Sequence, residues 1–344
     1  VHARWNGLTM ADVIFPLFMF MMGISMYISL KKYAFSLHKA LLLKIIRRTL
    51  VIFLIGTFIY GTATFLGTLR EAYLHPAPEA NAWKAAFTSL THIRILGVLQ
   101  RLALCYGIGS LLVTTIRHRH LPCLAASLLA AYYGILLAGN GFIYGPENIL
   151  AHADQWVLGL SHMYNDNGID PEGVLSTIPS VAHVLIGFCF GKICLETPDM
   201  KDKLNRLFLY GAILLITGFL LQDLCPLNKK VWSPTFVMVT CGFSALLLGA
   251  LSSYTDVTSE WRQVQAFTVF GVNPLFCYVL SELLYILVDS LPLKGQSLHG
   301  TIYSALSRWV GDNAFASLLY ALLFVLAVWV VGAYLRKKNI YIKI

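Results

Sequence analysis

The sequence predicts an all-α, polytopic transmembrane helical bundle, and three observations carry that prediction. Hydrophobic residues make up 57% of the 344-residue chain and charged residues only 12%, against roughly 45–50% and 25% in soluble domains. The mean hydropathy is +0.68. Apolar runs of the length a helix needs to cross about 30 Å of hydrocarbon recur nine times.

The first run, 11–30, follows the polar stretch VHARWNGLTM and carries Asp12 at its mouth, while its FPLFMFMMG reads as packing or lipid-facing surface. The second is 49–68. The third, 95–116, contains Gln100 and Arg101, and the fourth is 121–139. The fifth, 177–195, contains His183 and Lys192; 207–222, 235–252, 267–289 with Glu282, and 314–334 complete the set. The longest breaks, 69–94 and 140–176, hold turn residues, tryptophans and histidines but no extended core pattern. Residues 1–344 therefore read as a single transmembrane domain. The polar start, with neither initiator Met nor cleavable signal pattern, leads to the expectation of one further span upstream.

Short loops rich in Lys and Arg stay in the cytoplasm. Lys31, Lys32, Lys39, Lys44, Arg47 and Arg48 precede the second run; Arg117 and Arg119 follow the third; Lys192, Lys201, Lys203 and Arg206 surround the end of the fifth. With Arg262, Arg336, Lys337, Lys338 and Lys343 these are 17 of the 26 basic residues, all on one side if the nine runs alternate. The break 140–176 has no Lys or Arg and holds Glu147, Asp154, Asp166, Asp170 and Glu172, so it faces outward, with His2 on the same side. The formal charge of +9 is then mostly topology and gives no reason to invoke nucleic acid. Six of the seven cysteines fall in or beside apolar runs, which argues against a disulfide framework, and no metal-ligand spacing occurs.

A charge near the bilayer centre costs about 2.5–3.5 kcal/mol on insertion scales, so such a residue needs a partner or a function. Arg94 and Arg101, seven apart with Gln100 adjacent, fall on nearly one helix face, and that face points inward. A buried pair of Arg101 with Asp12 or Glu282 would be purely structural. Lys192 near a helix end reads as a snorkelling residue, and His2 has a plain reading as an interfacial histidine.

Four motifs, HARWNGLTMADVIFPLFMFMMG, IRILGVLQRLALCYG, DPEGVLSTIPS and NKKVWSPTFV, resemble in order and separation those of the transmembrane acyltransferases typified by heparan-alpha-glucosaminide N-acetyltransferase, as a bacterial-type member without the luminal domain. The resemblance runs from residue 1 to YLRKKNIYIKI at the C-terminus. A preceding helix with a Leu-Asp-x-x-Arg-Gly motif, present in that family, is absent here.

The resemblance implies movement of an acetyl group from cytoplasmic acetyl-CoA to the amine of a glucosamine-type sugar on the extracytoplasmic side, with no metal. The family's proposed catalytic histidine lies in the setting His-x-x-Trp-Asn-Gly-Leu-Thr, which is that of His2. An imidazole titrates near neutrality, so His2 suits either a general base for the amine or a nucleophile that is itself acetylated. His183, inside a span, is its only serious rival. Asp12 is the residue to orient it. Trp5, Asn6, Asp170, Glu172, Asn228, Lys229 and Trp232 offer rings, amides and charges for the sugar. For acetyl-CoA, Gln100, Arg101, Arg94, Lys31, Arg47, Arg48 and Lys192 offer groups to hold phosphates and amides along a path between helices. The expected partners are the lipid bilayer, acetyl-CoA, the amino sugar and a second copy as a homodimer. The expected location is a bacterial inner membrane with the acceptor site facing the periplasm. Two other readings stay open: an amino-sugar porter, and an O-acyltransferase of cell-envelope glycans.

Overall fold

A lipid interior leaves backbone polar groups no water to bond, so runs of this length must close their hydrogen bonds internally as helices. The computed structural model describes residues 2–75, 81–164, 166–257, 261–293 and 296–342, without the side chains of 261–263. Lys343 lies outside the described residues, as does the side chain of Arg262. The helices are α1 (Met10–Lys31), α2 (Lys39–Leu74), α3 (Ala82–Ser89), α4 (Val98–Thr115), α5 (Leu121–Ala138), α6 (Ile149–Leu158) and α7 (Thr177–Glu196). They continue with α8 (Met200–Leu220), α9 (Pro234–Ser252), α10 (Trp261–Val272), α11 (Pro274–Ser290), α12 (Leu298–Val310) and α13 (Asn313–Lys337). Strand structure among the described residues amounts to the two-residue pair Pro292–Leu293 and Gln296–Ser297, with an isolated bridge between Asp166 and Ile169. The chain is an all-α, polytopic helical protein.

Among the described residues, eight helices are long and apolar enough to cross a membrane; a ninth span exists there only if Val264–Val272 and Pro274–Ser290, bent by 85°, count as one. The expected continuous run 267–289 is thus broken. Proline lacks an N–H and pushes the residue before it out of the α region, and Asn273 accordingly sits at φ −133°, ψ 59°. The Asn273 amide donates to the Ile340 carbonyl at 2.9 Å and accepts from Ile342 N at 2.8 Å. The second run also starts earlier than expected: α2 has 36 residues and carries Lys39, Lys44, Arg47 and Arg48 on its first turns. The amphipathic α12 has no counterpart among the expected spans.

The chain divides into two compact units. The second, Thr57–Ile93 with Trp261–Ile344, is held by Arg70 Nη1 on the Asp289 carboxylate at 2.7 Å and by Trp329 Nε1 on the Ala266 carbonyl at 2.8 Å. The first, Val1–Gly56 with Arg94–Glu260, holds the candidate site. Its axis is the pairing of α1 with α7, which run parallel because Gly23, Gly187 and Gly191 let the backbones touch. A Cβ on Gly187 would lie 2.3 Å from the Phe20 carbonyl oxygen, and one on Gly23 would lie 2.3 Å from that of Val184. Met19, Phe20, Tyr27, Val184 and Leu185 are wholly buried along this seam.

The starts of α1, α4, α7 and α9 meet at one end of this unit. Gly7 N donates to the Leu227 carbonyl at 2.8 Å just before α9. Arg101 in the first turn of α4 bonds Ser176 at the head of α7. At the far end, Tyr27 near the close of α1 meets Glu196 and the His118 ring. Asp12 and Lys31 are therefore separated by roughly 28 Å at the 1.5 Å rise of a helix.

Candidate active site

Thr9 caps α1 in an extended conformation, φ −114°, ψ 165°, and Asp12 is the third residue of the helix. Asp12 Oδ2 accepts from Thr9 N at 3.0 Å, the Thr9 hydroxyl at 2.7 Å and Ala3 N at 3.2 Å. A carboxylate reaching back to the cap residue's N–H is the capping-box device, favoured further by the positive end of the helix dipole. Oδ1 remains for His2 Nδ1 at 2.7 Å, and the Lys229 ammonium stands 3.5 Å from the same oxygen. Asp12 is 1% exposed and the His2 side chain 60% exposed. A carboxylate accepts and cannot donate, so the proton of this imidazole belongs on Nδ1, and Nε2 keeps its lone pair. Lys229 Nζ is also 3.2 Å from His2 Nδ1; an ammonium can only donate, so it competes with the shorter Asp12 bond for that nitrogen.

Lys229 arrives on a tight turn. Asn228 N donates to the Ser233 hydroxyl at 3.0 Å, Val231 N donates to Asn228 Oδ1 at 3.1 Å, and Asn228 Nδ2 donates to Asn6 Oδ1 at 3.1 Å. The turn places Trp232 at φ +53°, a left-handed conformation uncommon for a bulky residue. Its ring is driven inward, 1% exposed, with edge contacts to Phe15 at 5.2 Å and Phe236 at 5.3 Å.

Trp5 is half-buried; its Nε1 donates to the Phe142 carbonyl at 2.9 Å and its ring lies 4.8 Å from Tyr144. The Tyr144 hydroxyl and the Lys230 ammonium both bond Asp166. That shared carboxylate raises the Tyr144 phenol, and on Lys230 it outweighs burial to raise the ammonium as well.

Asp170 and Glu172 face Arg94. Arg94 Nη2 donates to Asp170 Oδ1 at 2.5 Å and to Glu172 Oε2 at 2.6 Å, with the guanidinium 5.0 Å from the Tyr164 ring centroid. Asp170 also accepts from Tyr164 N at 2.8 Å and Glu172 N at 2.9 Å. These three charges hold Tyr164 against the 170–172 turn. Arg94 precedes α4, which is capped by Gly97, so the expected helical face shared with Arg101 ends at that glycine.

Arg101 points into the bundle, 1% exposed. Its Nη2 donates to the Gly173 carbonyl at 3.0 Å and to the Ser176 hydroxyl, rather than to Asp12, and its guanidinium lies 5.2 Å from the Trp232 ring. Arg101 Nε and Nη1, Trp232 Nε1 and both polar atoms of the Gln100 amide are buried without a hydrogen-bond partner. His183, 6.0 Å from the Trp232 ring, approaches the Pro16 backbone without closing a hydrogen bond. Buried polar atoms are nearly always paired, so these groups form an unsatisfied polar cluster around Trp232 in the interior of the bundle.

Lys31 and Lys192 lie at the far end, Lys31 exposed and Lys192 3.7 Å from Glu196, whereas Arg48, 4.7 Å from the Tyr106 ring, and the exposed Arg47 beside it stand about midway along α4. The structure thus gathers His2, Asp12, Asn6, Asn228 and Lys229, adds Trp5 through Tyr144, and divides the expected donor groups among both ends and the interior. Among the described residues, no three His, Cys, Asp or Glu side chains are placed to hold a metal ion.

Tyr144, Lys230 and Asp154 escape the sequence reading as site groups. Asp154 is fully buried and accepts from Val174 N at 2.7 Å, and a Cβ on Gly173 would strike it. Burial pushes its carboxyl from 3.8 up to about 6, against the pull of the Val174 N–H and Arg101. Between those values the folded protein holds a proton that the unfolded chain has released, so stability from this group falls as pH rises through that window. Asp154→Asn keeps the acceptor for Val174 and removes the titration. In thermal unfolding, the variant is expected to match wild type near pH 4 and to exceed it by about 3 kcal/mol at pH 7; parallel pH curves would refute the buried carboxyl.

Fold and site together define a multi-pass helical membrane protein with an imidazole–carboxylate pair at a helix mouth and an unsatisfied polar interior beneath it. No family model matches the chain. Over 82% of its length it is 27% identical to heparan-alpha-glucosaminide N-acetyltransferase of Mus musculus and, at the same identity and coverage, to that of Homo sapiens. The chain is thus similar over most of its length to the heparan-alpha-glucosaminide N-acetyltransferases. The alignments take in 49% and 48% of those two proteins, so the chain spans about half the length of the curated relatives it matches.

Proposed function

We propose that this chain is an acyltransferase domain that moves an acetyl group from acetyl-CoA to the amine of a glucosamine-type sugar. The observation that carries the proposal is the His2 Nδ1 contact to Asp12 at 2.7 Å, which leaves Nε2 free as a base at an exposed helix mouth. Acetyl-CoA would supply an activated acyl carbon. The unpartnered donors on Arg101 and Trp232 fit the carbonyl oxygens of an acyl thioester and its amide-bearing arm. His2 Nε2 takes the proton the amine must lose and returns it to the departing sulfur, while Asp12 holds the ring and balances its transient charge. The same Nε2 is the nucleophile if the acetyl group is relayed through the protein. Trp5 and Tyr144 offer an aromatic platform for the sugar, with Asn6, Asn228 and Lys229 along its edge.

In this reading the site end faces the extracytoplasmic side, the periplasm for a bacterial inner membrane, and what supports it is that Lys31, Lys39, Arg119, Lys192 and Arg206 lie at the opposite end. Purified protein given radiolabelled acetyl-CoA and glucosamine is expected to form N-acetylglucosamine. Sugar uptake into sealed vesicles without acetylation would establish a porter instead. Transfer to the hydroxyls of N-acetylglucosamine but not to glucosamine nitrogen would establish an O-acyltransferase.

A further inference from the structure

The far end of the first unit carries a feature that acetyl transfer does not use. A groove of about 700 Å³ runs between α5 and α8 over α7 and α9. Its walls include Ala125, Leu129, Ile186, Phe190, Ile213 and Met238, and its mouth carries His118, Arg119, Lys192 and Arg206. A second recess of about 510 Å³ shares His118, Arg119 and Lys192 and adds Arg117. The mouth of the groove is therefore ringed by basic groups on three separate segments, and the rest of it is an apolar slot.

The mouth charges are only loosely occupied. Lys192 and Arg206 each stand 3.7 Å from an acid one turn away on their own helix, Glu196 and Asp202, pairs of the exposed kind that contribute little. The slot decides the kind of anion. An acyl-CoA arm carries two amides and a hydroxyl that need partners when buried, whereas these walls offer little beyond the Tyr210 hydroxyl and cysteine sulfur. A fatty acyl chain asks for no hydrogen bond. Leu209, Ile213 and Ile216 on α8 are 50–58% exposed, so the helix flanking the groove presents an apolar face suited to lipid.

The geometry points to a binding site for an anionic glycerophospholipid, its phosphate headgroup at Arg119, Lys192 and Arg206 and one acyl chain between α5 and α8. The combination of a basic mouth and a hydrocarbon slot at one end of a helical bundle is the chemistry that recognises such headgroups. This site is independent of the transfer chemistry, and its test reads binding alone.

Delipidated full-length chain in detergent is titrated with dioleoyl phosphatidylglycerol or dioleoyl phosphatidylcholine and followed by native mass spectrometry. The anionic lipid is expected to bind at least roughly tenfold more tightly, each basic group contributing about fivefold. Arg119→Gln with Arg206→Gln should erase that preference, and Ala125→Trp, which fills the slot, should weaken both lipids. Equal binding of the two lipids by wild type would overturn the proposal, as would an undiminished preference in the double variant. Displacement of the bound lipid by free CoA would reassign the mouth to a nucleotide phosphate and overturn it too. Thermal unfolding of each variant in lipid-free detergent separates a lost site from a lost fold.

Discussion

Purified His2→Ala is expected to transfer acetyl groups to glucosamine at least about 10²-fold more slowly than wild type, the loss that follows removal of a positioned general base. The fold should survive: the His2 side chain is 60% exposed and its one short bond is to a carboxylate with three other donors in contact. Acetyl-CoA binding should survive as well, because the groups proposed to hold the donor, Arg101 and Trp232, are in the interior. The comparison that decides the assignment is His183→Ala. His183 is wholly buried against Trp232, so its loss should change thermal stability more than the transfer rate measured on folded protein. Near wild-type transfer by His2→Ala, with loss in folded His183→Ala, would move the reacting centre into the bundle.

Gly187→Val is expected to prevent assembly of the first unit or to lower its stability by more than about 3 kcal/mol, the range of severe overpacking. The Phe20 carbonyl that would lie 2.3 Å from the new Cβ is backbone and has no rotamer by which to withdraw. Relief would require α1 and α7 to separate along the seam that buries Met19, Phe20 and Leu185. Gly134→Val is the matched control, since a Cβ on Gly134 meets nothing within 4 Å. Size-exclusion and thermal-unfolding profiles of the two variants should therefore diverge sharply; similar profiles would show that the close approach is not required.

The helices were legible in the sequence because hydrocarbon enforces one solution on every apolar run of sufficient length. The break at Asn273–Pro274 carried a local signal, the proline, but an apolar run read as a whole averages over it. Gly97 was likewise the signal that Arg94 does not continue the face of Arg101, since the helix begins just after that glycine. His2 and Asp12 could be singled out by residue type and resemblance, yet their bond spans an irregular turn whose path no periodicity describes. Lys229 joins them from 227 residues away. The locking of Arg94 onto Asp170 and Glu172 depends on how one loop folds over another, and residue types alone left those carboxylates as candidate sugar ligands.

Asp12 closes the first turn of α1 with one oxygen and aims the imidazole with the other. The helix and the ring are therefore a single rigid joint. Any sliding or tilting of α1 against α7 must swing Nε2 with it, as a rudder follows its shaft. The glycine seam that lets the two backbones touch leaves little play in that shaft, so the aim of Nε2 is set by how α1 packs on α7.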